Sequence, residues 1–394
     1  MEKLKPVEQS TWANFVYKAL LILTYPLFKL IFSYQVRRET VPSKGPILVL
    51  ANHQSYIDSL AAAYAFPKHK FNFVAGKALF HWRFLGSLLR TIQAIPKEQF
   101  YPDPSTIVNI VRIVKAGGSC ILFPEGQRSY TGAPLPFSLS IVKLMKKLKV
   151  PVYTLEMAGC GLALPRWASN LRRGPIEAKV DFFMSPEELL EKSTEEIYQQ
   201  LSERLKFSEG EWLKENSFQQ RYRSRSLAKG VERILYYCPA CQSELGFQSA
   251  RKKFTCRACQ AEYLMDEHYR ITSDYDNPEL HEDWSELQIA RMADTLNSDK
   301  ILELELKYGI LERETRDCAS YQTAVLHIGL EKIYLMPSGI ELKTSKDGTA
   351  YVSLGHYVQL FGEDGEVYRL TTEAAGVAKI VHALAYRSRH NRDK

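Results

Sequence analysis

Five short apolar runs, each handing over to polar or glycine-bearing residues, organise the stretch between residues 47 and 158. ILVL runs into Ala51-Asn52-His53, FNFVA into Gly76-Lys77, and TIQAIP into Lys97-Glu98. CILFP then meets Glu125-Gly126-Gln127-Arg128, and VPVYTLEM meets Ala158-Gly159. Between them lie helix-like stretches such as 105–116 (STIVNIVRIVKA), with apolar residues at helical spacing and Gly117-Gly118 after the end. Continuous apolar strands alternating with helices predict an α/β fold, a mostly parallel sheet with flanking helices. Ligands in such sheets collect at the carboxyl ends of the strands. That puts His53, Asp58, Lys77, Lys97, Glu125 and Arg128 along one edge of the molecule.

Further on the pattern changes. Residues 186–215 read as one helix, with charges outside and Leu, Ile and Tyr recurring inside. Residues 219–235 begin with the basic, polar QQRYRSRSLAKG and are expected to be a linker between domains. A cysteine-bearing module follows at 236–265, then a C-terminal α+β domain at 266–394. In that last domain 276–296 reads as helix, and strand-like runs fall near 301–306, 323–328, 332–336, 350–361 and 366–370. An amphipathic helix closes the chain at about 372–388. Several strands followed by one helix weakly resemble a pleckstrin-type module, and no function is attached to that likeness. The α/β domain implied by the first five strands would occupy 35–218, preceded by an apolar segment at 1–34.

That segment, WANFVYKALLILTYPLFKLIFSY (12–34), is rich in Leu, Ile, Phe and Tyr but is interrupted by Lys18, Pro26 and Lys29. A spanning helix needs about 20 nearly uninterrupted apolar residues. Pro26 is expected to kink the helix and the lysines to snorkel, so an interfacial or re-entrant anchor is the favoured reading over a span or an ordinary core helix. Lys3 and Lys5 supply a basic start, yet no small-residue cleavage site follows, so a signal peptide is not expected. The protein is therefore expected at the cytoplasmic face of the cell membrane, peripheral or monotopic.

Charge sharpens this picture. Residues 1–182 carry 24 Lys+Arg against 10 Asp+Glu, and the rest 28 against 35, so the whole-chain charge of +7 hides a basic half and an acidic half. The basic half suits an anionic membrane surface or a phosphate ester. Its cations are dispersed among apolar segments rather than gathered on one helix, so no nucleic-acid partner is expected.

The chemistry gathers at two of the five handovers. An alcohol is a poor nucleophile at neutral pH, and a histidine is the side chain that starts with a suitable pKa to activate it. A carboxylate on its other ring nitrogen fixes the tautomer and stabilises the imidazolium as it forms. On a straight helix, residues five apart point about 140° away from each other. His53 and Asp58 therefore meet only if His53 lies in the turn before the helix. The same residues would also fit a strand end followed by a helix cap, with Ser55 as N-cap and Asp58 as its capping-box acid. In ILFPEGQRS (121–129), Pro124 and Gly126 force a sharp exit from a buried strand. Arg128 and the backbone N–H groups of a glycine turn suit a phosphate. Glu125 is placed to accept from a substrate hydroxyl or to hold Arg128.

NHQSYID (52–58) matches an N-H-x4-D signature and FPEGQRS (123–129) an F-P-E-G-x-R-S signature. In this combination, and with VPVYTLEMAG (150–159) in the same order, residues 35–185 resemble the 1-acylglycerol-3-phosphate (lysophosphatidate) acyltransferase family of glycerolipid acyltransferases. The resemblance implies transfer of a fatty acyl group from acyl-coenzyme A or acyl-carrier protein to the free hydroxyl of lysophosphatidate, giving phosphatidate. It implies His53 as the base and Asp58 as its orienting partner. Glu125, Gly126 and Arg128 become the glycerol-phosphate-binding motif, and no cofactor is needed for catalysis. The family usually carries an arginine in its second motif, where TIQAIPKEQ (91–99) offers Lys97; Lys77 is a secondary candidate for the same phosphate. Lysine supplies charge without the bidentate fork, which leaves the acceptor head group open. Two other readings follow: an acyltransferase for another lysophospholipid or acceptor, and a non-catalytic membrane adaptor whose C-terminal half binds a protein or nucleic acid.

Cys238-x2-Cys241, fourteen residues, then Cys256-x2-Cys259 has the spacing of a four-cysteine zinc ribbon. Four thiolates close the site, so the metal is expected to be structural zinc, with iron as the alternative. Cys120, Cys160 and Cys318 are expected to be buried small hydrophobes or idle thiols.

Overall fold

The computed structural model describes residues 10–98, 103–297, 300–312, 317–344, 350–353 and 355–391. Lys3 and Lys5 lie outside them. The chain forms two compact units. The first takes the chain up to Ser129, then Pro134–Ala163 and Arg173–Trp212; the second takes Tyr130–Ala133, Leu164–Arg172 and everything from Leu213 on.

In the first unit the order is α1 (Thr11–Phe32), β1 (Gln35–Arg38), β2 (Leu48–Ala51), α2 (Asp58–Ala65), β3 (Phe71–Gly76), α3 (Arg83–Thr91), β4 (Ile95–Lys97) and α4 (Pro104–Lys115). Then come β5 (Ser119–Leu122), α5 (Ser140–Leu148), β6 (Val152–Ala158), α6 (Cys160–Ala163), β7 (Glu177–Met184), α7 (Pro186–Glu191), α8 (Thr194–Arg204) and the start of α9 (Glu209–Glu215). The seven strands lie in the order β1-β7-β6-β2-β5-β3-β4. The five expected strands run parallel as β6-β2-β5-β3-β4, while β7 is antiparallel to β6 and carries β1 parallel to itself. Leu48 and Leu50 of central β2 are fully buried and share one core with Ile113 of α4, Val142 and Met145 of α5, and Leu201 of α8. Each such side chain contributes about 1.5–3 kcal/mol on burial, which is why both faces of β2 read as apolar.

One expectation changes here. The segment 186–215 is three helices rather than one. Ser185 caps α7 in a capping box with Glu188, with Pro186 at the first helical position, and Ser193 caps α8 by accepting from Glu196 N. A serine that offers its hydroxyl to the amide three residues on ends one helix and starts the next. In α1 the helix continues through Pro26, with Ser10 as N-cap. Tyr17, Phe28 and Phe32 of α1 are buried, whereas Ile22, Leu23, Leu27 and Leu30 are more than half exposed. By length and composition α1 is sufficient to cross a membrane.

In the second unit β8 (Phe247–Ala250), β9 (Lys253–Cys256), β10 (Glu262–Met265) and β11 (Ile271–Thr272) form an antiparallel sheet in the order β11-β10-β9-β8. After α10 (His281–Thr295), seven antiparallel strands follow: β12 (Leu302–Ile310), β13 (Gln322–Ile328), β14 (Ile333–Met336), β15 (Ile340–Lys343), β16 (Tyr351–Ser353), β17 (Tyr357–Gly362) and β18 (Val367–Thr371). Their order is β15-β14-β13-β12-β18-β17-β16, and β15 also pairs with β17, which turns the sheet into a barrel. The helix α11 (Ala374–His390) closes the chain. The stretch 219–235 is packed rather than solvated: Tyr222, Leu227, Val231 and Leu235 are fully buried. Its arginines dominate the charge count, but the apolar residues between them carry the packing.

Candidate active site and four-cysteine centre

The strand β2 is buried on both faces, so the chain leaving it carries polar groups that must be satisfied at its end. Asn52, 1% exposed, does this by pairing with the backbone of β6: its Nδ2 donates to Met157 O (2.9 Å) and its Oδ1 accepts from Met157 N (2.8 Å). His53 follows in the turn. The helix α2 starts at Asp58, so the two side chains meet, with His53 Nδ1 2.7 Å from Asp58 Oδ2. The same buried oxygen accepts from Gln54 N (2.6 Å) and Ser55 N (2.8 Å). Asp58 thus caps the turn and binds the imidazole at once, and Ser55 is not the N-cap of α2. The far end of α2 is held by Arg38, whose guanidinium donates twice to Ala65 O. The His53 ring is one-fifth exposed and stacks on Phe123, with centroids 4.2 Å apart and planes inclined by 20°.

The turn after β5 is tied to this one. Glu125 Oε1 accepts from His53 N (2.8 Å), Glu125 Oε2 accepts from Leu135 N (2.9 Å), and Ser129 N donates to His53 O (2.7 Å). Glu125 is 6% exposed; burial pushes its carboxyl up to about 8, with the Asp58 charge adding to the rise and the two amides opposing it. Both of its oxygens are engaged by backbone amides. Gly126 adopts φ +71°, which favours glycine, and a Cβ there would lie 4.0 Å from Lys97 Nζ. Arg128 stacks on Tyr56, its Cζ 3.3 Å from the ring centroid. The structure therefore gathers His53, Asp58, Glu125, Gly126, Arg128 and Lys97 around two turns. Lys77 instead bridges to Glu98 at 3.0 Å and is half exposed.

The acyltransferase family model matches residues 33–158. A curated 1-acyl-sn-glycerol-3-phosphate acyltransferase of Bacillus subtilis is 26% identical over 115 residues, 29% of this chain and 58% of that protein. One of Cocos nucifera is 28% identical over 135 residues, 34% of this chain and 44% of its own. Over residues 33–158 the chain is thus similar to the acyltransferase family. The chain spans about half the length of the curated relatives it matches. A solved structure, the 1-acyl-sn-glycerophosphate acyltransferase PlsC of Thermotoga maritima, aligns over 52% of this chain and 81% of its own, with 22% identity and a TM-score of 0.44.

Within the acyltransferase segment, sequence reasoning missed the parts played by Asn52, Tyr56 and Phe123. Asn52 and Tyr56 sit inside the NHQSYID motif and Phe123 inside FPEGQRS, so position was the available signal; what each one touches was not.

In the second unit Cys238, Cys241, Cys256 and Cys259 place their sulfurs within 4.8 Å of one another. Cys238–Cys259 and Cys241–Cys256 are separated by 3.9 and 3.8 Å. A tetrahedron with metal–sulfur bonds of about 2.3 Å has edges of about 3.8 Å, so the donor set fits zinc. The Tyr263 hydroxyl lies 3.2 Å from Cys238 Sγ, and Ala258 N donates to Cys256 Sγ (3.4 Å). Behind them Tyr263, Phe254 and Phe247 pack on Trp284, whose Nε1 donates to Tyr237 O (3.0 Å).

Proposed function

We propose that the protein transfers a fatty acyl group from a thioester carrier, acyl-coenzyme A or acyl-carrier protein, to the free hydroxyl of 1-acylglycerol-3-phosphate. The His53–Asp58 contact of 2.7 Å carries the reading, and the family match and the relatives' activity support it. With Nδ1–H held by the Asp58 carboxylate, the basic lone pair lies on Nε2. The acceptor oxygen attacks the thioester carbonyl carbon as Nε2 takes its proton. The C–S bond breaks, an ester forms, and the proton passes to the departing thiolate. Asp58 stabilises the imidazolium between these steps.

Arg128 and Lys97 supply the positive charge for the acceptor phosphate. Tyr56, stacked beneath Arg128, fixes the plane of its guanidinium. Glu125 ties the two turns together through backbone amides. Lys97 in place of an arginine keeps a second acceptor, another lysophospholipid, in play. The exposed apolar residues of α1 support docking at the cytoplasmic face of a membrane. The four cysteines would hold a structural zinc in the C-terminal half, where a protein partner would also bind.

The test is acyl transfer from labelled acyl-coenzyme A to lysophosphatidate by purified protein in detergent, with lysophosphatidylcholine and an acyl-carrier-protein donor in parallel. Phosphatidate from wild type and none from His53→Ala is the expected result. No product from any donor–acceptor pair by folded wild type overturns the reading and favours the adaptor.

A further inference from the structure

Glu209 lies beyond the segment that matches the acyltransferase family, at the start of α9, yet it reaches back some fifty residues in sequence to the turn after β6. Its carboxylate is fully buried, and its two oxygens accept from Gly159 N (2.8 Å) and Gly161 N (2.7 Å). A carboxylate taken out of water is strongly disfavoured unless its oxygens are bonded, so the turn and Glu209 hold each other in place. The two amides bracket Cys160, whose fully buried thiol faces Asp58. Burial first, and then the Asp58 and Glu209 charges, push that thiol up. The turn also touches the residue after His53. A Cβ on Gly161 would meet Glu209 Oε1 at 2.9 Å and Gln54 Cβ at 3.2 Å, and it is Gln54 N that donates to Asp58 at 2.6 Å.

We propose that Glu209 is a positioning residue for the His53–Asp58 pair, pinning the Gly159–Gly161 turn against Gln54 and Asp58 so that the carboxylate stays under the imidazole. This rests on the acyltransferase reading above. The base and its partner come from the family-matched segment, and the brace that holds their floor comes from outside it. Glu209 touches neither substrate, and its effect passes through Gly161 to Gln54 and through Cys160 to Asp58. A shift of about 1 Å in a catalytic group costs up to about a hundredfold in rate, so the brace governs kcat rather than substrate binding.

The test is steady-state kinetics of the full chain with acyl-coenzyme A and lysophosphatidate, normalised to the folded fraction by circular dichroism. Glu209→Ala and Gly161→Ala are expected to lower kcat about 10- to 100-fold, with both KM values within about twofold of wild type. Glu209→Gln, which keeps one amide bond, should fall between. In an Asp58→Asn background Glu209→Ala should cost less than about threefold, because the pair it positions is already broken and effects within a unit are not additive. A purely structural role would not produce that saturation. A folded Glu209→Ala with wild-type kcat, a change in KM instead of kcat, or full additivity with Asp58→Asn overturns the proposal. If Glu209→Ala does not fold, Glu209→Gln and Gly161→Ala decide on the same criteria. An inactive wild type overturns the acyltransferase reading and this inference together, whereas an active wild type with unaffected variants overturns this inference alone.

Discussion

The His53 turn and the four-cysteine centre both gather polar side chains where strands end, but they hold them by different means. The cysteines come from two C-x-x-C knuckles fourteen residues apart, joined through the β8–β9 hairpin. Their geometry is short-range, and a metal would close it. His53 and Asp58 are only five residues apart, and beside the local amides of Gln54 and Ser55 the groups that steady them are distant in sequence. Met157 receives Asn52, Glu125 holds the His53 amide, and Glu209 braces the neighbouring turn. A local site depends on its ligand; a braced site depends on the sheet that delivers its braces.

The largest effect expected from breaking this arrangement is on rate. Asp58→Asn should lower kcat by about 10²- to 10⁴-fold, as loss of the tautomer-fixing carboxylate does in relay systems. Single-turnover measurements, with the fold checked by circular dichroism, would decide it.

On the other side of the comparison, chelation should remove one zinc per chain and unfold the cysteine module. Apparent structural-zinc affinities correspond to about 10 kcal/mol or more. Metal analysis and the fluorescence of Trp284, packed against Phe254 and Tyr263, would follow the loss. A chain that keeps its fold with the metal stripped would break the comparison.

Glu125 sharpens it through pH. Its folded-state pKa is raised from 4.5 to about 8 by burial. The associated stability is therefore fully present below about 4.5 and is lost progressively as pH rises towards about 8, since the unfolded chain ionises first. The magnitude is of the order of a few kcal/mol. Glu125→Gln should flatten the fall in thermal stability between those limits.

Asn52→Ala should cost about 2–3 kcal/mol, because both backbone groups of Met157 lose buried partners. Denaturant unfolding would measure it. The smallest effect is expected at Lys77, whose half-exposed bridge to Glu98 is worth less than about 1 kcal/mol. Lys77→Ala should leave the stability and the KM for lysophosphatidate nearly unchanged, and a large rise in KM would return it to the phosphate site.

The five apolar runs and their polar handovers were enough to anticipate the five parallel strands and the edge along which candidate residues lie, because a strand buried on both faces declares itself by composition. The two cysteine knuckles declared their proximity by spacing, and the N-H-x4-D and F-P-E-G-x-R-S motifs declared their family. The two outer strands β1 and β7 and the short β15 were not anticipated, since partly exposed strands lack a continuous apolar run. The single helix expected over 186–215 became three because serine caps outweigh periodicity.

Only the tertiary structure decided how the candidate site is held. Nothing in the spacing of Asn52 and Met157, or of Glu209 and Gly161, links them along the chain. They meet because the β6-β2-β5 order brings three strand ends together and because buried amides and carboxylates must find partners wherever the fold supplies them. The same rule made Glu125 a bond between two turns, since desolvation favours the nearest available backbone donors. Residue identity and spacing determined which chemistry was available to this chain. Packing determined which groups face each other and which brace them.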